Sequence, residues 1–91
     1  MRAVKYLLAY RSGPGLKEKA RIHFAEHRAR WSRYQEAGTL LMIGPYADQS
    51  GALAVFRTRE AAEEFAAGDP FVVNGLVEGW EVVEWAEALV D

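Results

Sequence analysis

Apolar residues recur at two different spacings along this chain, and each spacing predicts a different element. Residues 3–10 are β-forming and apolar side chains that end at a Ser-Gly-Pro-Gly breaker, which predicts a strand. From residue 16 to about residue 37 the apolar positions step by four and three, as on one face of a helix. Those positions are Ala20, Phe24, His27, Trp31 and Tyr34. Gly38 then occupies the C′ position, where a residue without Cβ tolerates the left-handed conformation that ends many helices.

The middle of the chain predicts a hairpin. Residues 39–44 and 52–56 are predicted strands, and residues 48–51 are predicted as the turn between them. The first of these strands is apolar on both faces. Pro45 follows it and has no backbone amide hydrogen to donate, so we expect the regular ladder to end there.

The remaining residues predict a helix, a short helical turn and a final strand. Thr58 is a predicted N-cap, and Glu60 lies in the first turn of a helix over residues 60–67. The sequence Gly68-Asp69-Pro70 interrupts that helix, and Asp69 is placed to cap a short turn that begins at Pro70. Residues 77–85 are the last predicted strand, and residues 86–91 have no clear pattern.

The predicted order of elements is β-α-β-β-α-β, the split βαβ arrangement of an α+β, ferredoxin-like fold. In this arrangement both helices lie on one face of an antiparallel sheet, so the chain itself leaves the other face uncovered. We expect one domain over residues 1–91, because two halves would each be too small to bury an adequate core.

The strands nevertheless carry apolar side chains at both parities. These are Val4, Tyr6 and Leu8 against Leu7 and Ala9 in the first strand, and Trp80 and Val82 against Val83 and Trp85 in the last. Soluble monomers rarely expose apolar patches larger than a few hundred Å². The second face therefore predicts a homodimer, most simply with two-fold symmetry, as in a dimeric α+β barrel.

Composition narrows the classes of function. The chain has no cysteine, which excludes disulfides, thiolate metal sites and thiol nucleophiles. No run approaches the roughly 18 apolar residues that a membrane span needs. The first residues also lack the apolar core and cleavage site of a signal peptide. We therefore expect a cytoplasmic protein without a membrane partner.

The net charge of −2 conceals an asymmetry along the chain. Residues 1–38 carry nine Lys and Arg against three Asp and Glu, a balance of +6, whereas residues 39–91 carry two against ten, a balance of −8. Basic charge on one helix can indicate nucleic-acid binding. Here the arginines are spread around the helix and glutamates interrupt them. No recognised binding motif accompanies them, so we expect no nucleic-acid partner.

His27 is the first candidate for chemistry, because it places an ionisable ring on the apolar stripe of the long helix. One interpretation is a general acid or base that reaches into a pocket between helix and sheet. The other is a core histidine whose nitrogens bond backbone groups, and the residue pattern alone favours this one. Asp69 is likewise either a helix cap or an acid that orients His27. We expect the two roles of Asp69 to need separate carboxylate oxygens.

A metal site is the alternative use of the histidines. His23 lies four residues before His27, so both rings project from neighbouring turns. A stable site needs a third protein ligand, which Asp69 supplies only if the fold brings it close. No H-E-x-x-H motif is present. We therefore expect no metal and no cofactor, and His23 is interpreted as a partly exposed helix residue.

Several segments together resemble one known family. In chain order they are residues 6–10, His27 eleven residues before Gly38, residues 38–45, Gly51, residues 61–65, residues 68–72 and Gly75. The most specific element is Gly44-Pro45 combined with Asp69-Pro70 and a following aromatic residue. The chain thereby resembles the YCII-related (YciI-like) family of the dimeric α+β barrel superfamily, essentially from end to end.

The resemblance implies a ferredoxin-like protomer, a dimer whose sheets face one another, and an active site of His27 and Asp69. Some members eliminate chloride from a chlorinated muconolactone in aromatic degradation, and many others have no established reaction. The chain departs from the family at Phe71, which lacks a tyrosine hydroxyl, and in the short loop between Gly44 and Gly51. With the resemblance, the site interpretation of His27 is preferred.

Two functions follow as hypotheses. The first is a cofactor-independent lyase or isomerase in which His27 moves a proton alpha to the carbonyl of a carboxylated or lactone metabolite. Asp69 would hold the His27 tautomer, and Arg11 or Arg28 would bind a substrate carboxylate. The second is a non-catalytic domain that uses the same cleft for a small ligand or for assembly.

Overall fold

A computed structural model describes residues 4–88, and seven elements follow one another within them. They are β1 (Val4–Ser12), α1 (Leu16–Glu36), β2 (Leu40–Pro45), β3 (Gly51–Phe56), α2 (Arg59–Gly68), the short α3 (Pro70–Val73) and β4 (Val77–Ala86). The strands form one antiparallel sheet in the order β2-β3-β1-β4. The predicted α+β, ferredoxin-like fold is therefore confirmed. Residue 3, the predicted start of the first strand, and residues 89–91 lie outside the described residues.

The strand ends differ slightly from the prediction. β1 continues two residues past Tyr10, because Ser12 donates its amide hydrogen to the Ser50 carbonyl oxygen at 2.9 Å and so extends the pairing into the first residue of the predicted breaker. β2 includes Pro45 as its last residue. A proline is tolerated there because β2 is an edge strand, with one neighbour only.

The two predicted helices are confirmed, with ends that differ from the prediction by at most one residue. The Thr58 hydroxyl oxygen accepts the Ala61 amide hydrogen at 3.1 Å as the N-cap of α2. Gly38 follows the end of α1 with a φ of 83°, the left-handed region that favours glycine. Within residues 4–88, no helix combines the length and apolarity needed to cross a bilayer.

The core lies between the helices and one face of the sheet. It consists of Leu8, Tyr10, Leu40, Ala54, Phe56, Ala62, Phe65 and Ala66. Tyr34 of α1 meets the rings of Phe56 and Phe65 edge to face, so the predicted apolar stripe of α1 does face the sheet. This packing holds α1 beside the sheet and α2 beside α1, and it leaves a cavity between α1 and the strands.

The opposite face of the sheet, here called the open face, is also apolar. Its apolar residues are Leu7, Ala9, Met42, Leu53, Val55, Val83 and Trp85, which the strand register places on the side away from Leu8. Val83 and Trp85 are 44% exposed and Met42 is 68% exposed. The helices of this chain therefore leave the open face uncovered.

Candidate active site

The imidazole of His27 lies on the inner side of α1 and is held by aromatic rings. It stacks parallel to Phe71, with ring centroids 4.0 Å apart and an interplanar angle of 6°. Phe24 and Phe65 make tilted contacts with the same ring. The residue as a whole is only 8% exposed. These contacts fix the plane of the imidazole, and its two nitrogens can form hydrogen bonds only at the edge of the ring.

Asp69 meets His27 from the junction between α2 and α3. Its carboxylate is fully buried. Oδ1 lies 2.8 Å from His27 Nδ1 and also accepts the Phe71 amide hydrogen at 3.1 Å. The cap and the histidine contact are thus both present, but the expectation that they need separate oxygens is wrong. One carboxylate oxygen accepts both bonds because it has two lone pairs.

Tyr10 completes the surroundings of this carboxylate, and the sequence pattern did not single it out. Its hydroxyl donates to Asp69 Oδ2 at 2.7 Å. Burial, and then the Asp69 charge and the hydrogen bond to it, raise the pKa of the Tyr10 hydroxyl, while the charge of Arg30 lowers it. The hydroxyl therefore stays a donor at neutral pH. One signal was available in the sequence. Tyr10 lies two residues after Leu8 and so shares its face of the strand, and a buried tyrosine hydroxyl usually needs a hydrogen-bond partner.

The Nδ1 contact decides what the second nitrogen of His27 can do. A carboxylate only accepts hydrogen bonds, so Nδ1 carries the hydrogen and the neutral ring keeps a lone pair on Nε2. Nε2 has no hydrogen-bond partner within residues 4–88, yet it is not among the fully buried unpartnered atoms. His27 also lines the cavity, so a molecule bound there would lie beside this residue.

The cavity has a volume of about 450 Å³, within the range typical of small-molecule sites. Its walls are mainly apolar and include Leu8, Ala20, Phe24, Trp31, Ile43, Ala52 and Ala54. His27, Tyr10, Phe65 and Phe71 form its inner end. Ser12, Lys17 and Gln49 line its other end, which we call the polar mouth. The cavity thus suits a molecule with an apolar body and a polar group at each end.

Arg30 supports the site from outside the cavity. Its guanidinium donates to the carbonyl oxygens of Glu64 and Phe65 at 2.9 and 3.2 Å, in the last turn of α2. A cation at a helix C-terminus is favourable because the free carbonyls carry partial negative charge. A Cβ on Gly68 would lie 2.5 Å from Arg30 Nη2, so glycine leaves room for this contact. Arg30 and Gly68 together set where the chain leaves α2 toward Asp69.

The two arginines expected to bind a substrate carboxylate do not reach the cavity. The Arg11 guanidinium lies on an exposed side of β1, with Nε 3.8 Å from the Glu78 carboxylate. Arg28 is exposed on α1. Neither lines the cavity, because strand parity and helix phase turn them away from it, so this expectation is wrong. Lys17 is the cation that lines the cavity instead.

His23 is separate from the site. It lies one turn before His27 but does not line the cavity, and its buried Nδ1 has no partner in the described part of the chain. Among residues 4–88, no three His, Cys, Asp or Glu side chains are grouped closely enough to hold a metal ion. The fold therefore brings together His27 and Asp69 and leaves His23 outside.

Comparisons with known proteins support the same fold. A family model described as the YCII-related domain matches residues 4–86. Among solved structures, 5-chloro-2-hydroxyhydroquinone dehydrochlorinase from Burkholderia phenoliruptrix, in complex with 2,5-dihydroxybenzoquinone, is similar with a TM-score of 0.72. The two chains are 20% identical, and the similarity covers 89% of this chain and 92% of the other. A search of curated proteins finds no significant match.

Proposed function

Since the chain belongs to the YCII-related family, we propose that it is a small lyase or isomerase that acts on a carboxylated or lactone metabolite. The observation that carries the proposal is the orientation of His27. Its Nδ1 is bonded to a buried carboxylate, which leaves Nε2 as the free nitrogen, and the residue lines an apolar cavity. A dehydrochlorinase with the same fold binds a small hydroxyquinone, which supports a small-molecule ligand here.

The proposed chemistry is proton transfer at carbon. His27 Nε2 takes the proton from the carbon alpha to a carbonyl, and the electron pair of the broken C–H bond forms an enolate. In an isomerase the imidazolium returns the proton to another carbon. In a lyase the enolate electrons expel a leaving group from the adjacent carbon, and the imidazolium keeps or donates the proton. Such a base contributes typically about 10²–10⁴-fold in rate, and positioning in the cavity supplies more.

Asp69 supports this transfer by keeping His27 in the required state. Its carboxylate holds the hydrogen on Nδ1 and stabilises the imidazolium that forms when Nε2 takes a proton. Tyr10 and the Phe71 amide hold the carboxylate in turn through the remaining hydrogen bonds. The stack on Phe71 keeps the imidazole plane fixed. These groups belong to the chain itself, so the proposed mechanism includes no cofactor.

The decisive experiment compares His27→Ala with His23→Ala on a panel of muconolactones and hydroxyquinones. We expect kcat/KM of the His27 variant to fall by about 10²–10⁴-fold. His23→Ala removes the same group one turn earlier and should keep both activity and fold. Circular dichroism checks folding, and His27→Gln replaces the alanine variant if that one unfolds.

Two outcomes would contradict the enzyme proposal. Undiminished turnover in a folded His27 variant would remove the histidine from the mechanism. Binding of the panel by the wild type without any turnover would favour the alternative of a non-catalytic ligand-binding domain. A cytoplasmic location and the lack of a nucleic-acid partner stay predictions; tight, strongly salt-dependent DNA or RNA binding would contradict the latter.

We also propose that the open face is the interface of a homodimer. Its apolar side chains lie on adjacent strands, with Leu7 paired between Val55 and Val83. A two-fold arrangement would bury the same patch from both copies, as self-complementary interfaces do. The proposal accounts for the 44% exposure of both Val83 and Trp85 in the single chain.

The dimer is tested by the molar mass in sedimentation equilibrium. Val83→Glu places a charge in the proposed interface, and we expect the dimer dissociation constant to rise at least ~100-fold, because an unpaired buried charge is strongly unfavourable. Ile22→Glu is the matched control, since Ile22 is 71% exposed on α1. A monomeric wild type, or equal effects of the two substitutions, would contradict this interface.

A further inference from the structure

The polar mouth indicates the shape of the molecule that occupies the cavity. Resting on the proposed function, we propose that the substrate is an elongated monoanion. Its carboxylate or equivalent group would bind Lys17 and Gln49, and its reacting carbon would lie at His27. An apolar body would fill the space between them. The proposal therefore specifies the class of metabolite that the site accepts.

The elongated shape follows from the position of both groups on one helix. Lys17 and His27 are ten residues apart in α1, which corresponds to roughly 15 Å along the helix axis. A molecule that contacts both residues therefore extends along α1. The cavity of about 450 Å³ has room for a ring with a side chain or for two joined ring systems.

The charge at the mouth favours an anion. Lys17 is the one cationic side chain that lines the cavity in the described chain, and it forms no ion pair with a carboxylate of residues 4–88. Two carboxylates lie close by, because Glu18 and Asp48 line a second, more open depression together with Ser12, Lys17 and Gln49. Neither carboxylate lines the cavity itself, and Asp48 Oδ1 accepts the Ser50 amide hydrogen at 2.9 Å. The mainly apolar walls offer few other groups that could pair with a charge. A substrate carboxylate at the mouth would therefore meet an unpaired ammonium.

Gln49 lines the mouth from a strained backbone position, and its side-chain amide is a hydrogen-bond donor. Its φ of 64° is the one positive φ of a non-glycine residue in the part of the chain that the structure describes. The Ser12 hydroxyl donates to the Gln49 carbonyl oxygen at 2.9 Å, and the Gln49 amide hydrogen bonds the Tyr46 carbonyl at the same distance. Glycine or asparagine adopts this conformation more readily. Strain of this kind is concentrated at ligand sites, and Gln49 is one of the residues that line the cavity.

Calorimetric titration with two series of ligands tests the proposal. The first series runs from phenylacetate to 8-phenyloctanoate, and the second contains the alcohols of equal length. We expect affinity to rise with chain length until the molecule reaches from His27 to Lys17 and then to stop rising. At that length the carboxylate should bind about three- to tenfold more tightly than the alcohol, as expected for a partly exposed ion pair with a hydrogen bond.

Matched variants assign the preference to the mouth. Lys17→Met should abolish the preference for carboxylate over alcohol, and Gln49→Gly should reduce it. Lys19→Met removes the same charge from an exposed position that does not line the cavity, so it should leave the preference intact. Turnover of lactones, measured in parallel with His27→Ala, judges the proposed reaction independently.

The failures of the two proposals are distinguishable. A flat dependence on chain length, or equal effects of Lys17→Met and Lys19→Met, would overturn the elongated monoanion while lactone turnover still supports the reaction. If the wild type turns over no lactone but shows a length optimum that depends on Lys17, the proposed reaction is wrong and the proposed ligand shape is supported.

Discussion

The two faces of the sheet have similar apolar patterns but very different surroundings. Leu8 is 1% exposed beneath the helices, whereas its neighbour Leu7 lies on the open face beside the 44% exposed Val83. The same contrast separates Val82, which packs against the core, from Val83. Apolar residues at both parities therefore indicate that both faces need cover, but they do not show which face is covered by the helices of the same chain.

Polar chemistry is concentrated on the covered face. There the Asp69 carboxylate is fully buried and accepts three hydrogen bonds, and the His27 ring is clamped between aromatic side chains. Electrostatic interactions are stronger in such a dry environment than at the surface. The open face carries a broad apolar surface instead. The difference is the basis for proposing catalysis on the covered face and assembly on the open one.

Truncating a leucine on each face tests directly whether the two faces differ in their contribution to stability. Leu8→Ala removes a fully buried side chain, and we expect it to lower the free energy of unfolding by about 2–4 kcal/mol. Leu7→Ala should cost less than about 1.5 kcal/mol when measured at dilutions where the protein is monomeric. Urea denaturation at several protein concentrations gives both values.

Concentration dependence supplies the control for that pair. The effect of Leu8→Ala should be the same at every protein concentration, since its contacts lie within one chain. The effect of Leu7→Ala should grow with concentration if the open face is the dimer interface, because association stabilises the folded chain by mass action. Equal effects of the two substitutions in the monomer would show that the faces do not differ as described.

A smaller effect is expected from Tyr10→Phe, which tests the polar network of the covered face. It removes the donor to Asp69 Oδ2, and we expect a loss of about 1–3 kcal/mol because a buried acceptor is left unsatisfied. The folded protein raises the pKa of Tyr10 above its ordinary value near 10. The associated stability is complete below pH 10 and is lost as pH rises further, by up to about 1.4 kcal/mol per pH unit.

The alkaline range therefore separates this network from the surface tyrosines. Between pH 10 and 11.5 we expect the stability of the wild type to fall more steeply than that of Tyr10→Phe, in urea titrations at fixed pH. Tyr46→Phe is the matched control, since Tyr46 is 40% exposed, and it should keep the slope of the wild type. Parallel slopes in all three proteins would place Tyr10 outside the network.

Local patterns were sufficient to predict most of the fold. The change from alternating to helical spacing gave the order of elements, and the caps at Thr58, Gly38 and Asp69 depend on contacts within a few residues. His27 could be selected because an ionisable ring on an apolar stripe is unusual. Asp69 was found because a capping position and a family resemblance coincided there.

The parts of the site that the sequence did not predict depend on long-range contacts. Tyr10 reaches Asp69 across 59 residues of sequence, and Arg30 reaches the end of α2 across 34. Neither pairing leaves a local spacing in the sequence. The same holds for Lys17, which meets the Gln49 loop only because the start of α1 and the β2–β3 turn lie at one end of the cavity. The prediction that Arg11 or Arg28 binds a substrate carboxylate was wrong for the same reason, since charge alone does not show which way a side chain points.

The smallest effect on stability is expected from alanine substitutions of two glycines, one on the covered side of the sheet and one on the open face. In Gly68→Ala the new Cβ would meet the Arg30 guanidinium at 2.5 Å, whereas a Cβ at Gly44 meets nothing within 4 Å. Gly44 pairs with Leu53 of the open face, so the empty space there reflects the missing cover. We expect Gly68→Ala to lower the free energy of unfolding by about 1 kcal/mol, because overpacking outweighs the better helix propensity of alanine. Gly44→Ala should be nearly neutral in the monomer.

The double variant with Arg30→Gln should recover part of the Gly68→Ala loss, since the two substitutions act through one contact. Additive losses would mean that Arg30 and Gly68 do not share a role in placing Asp69.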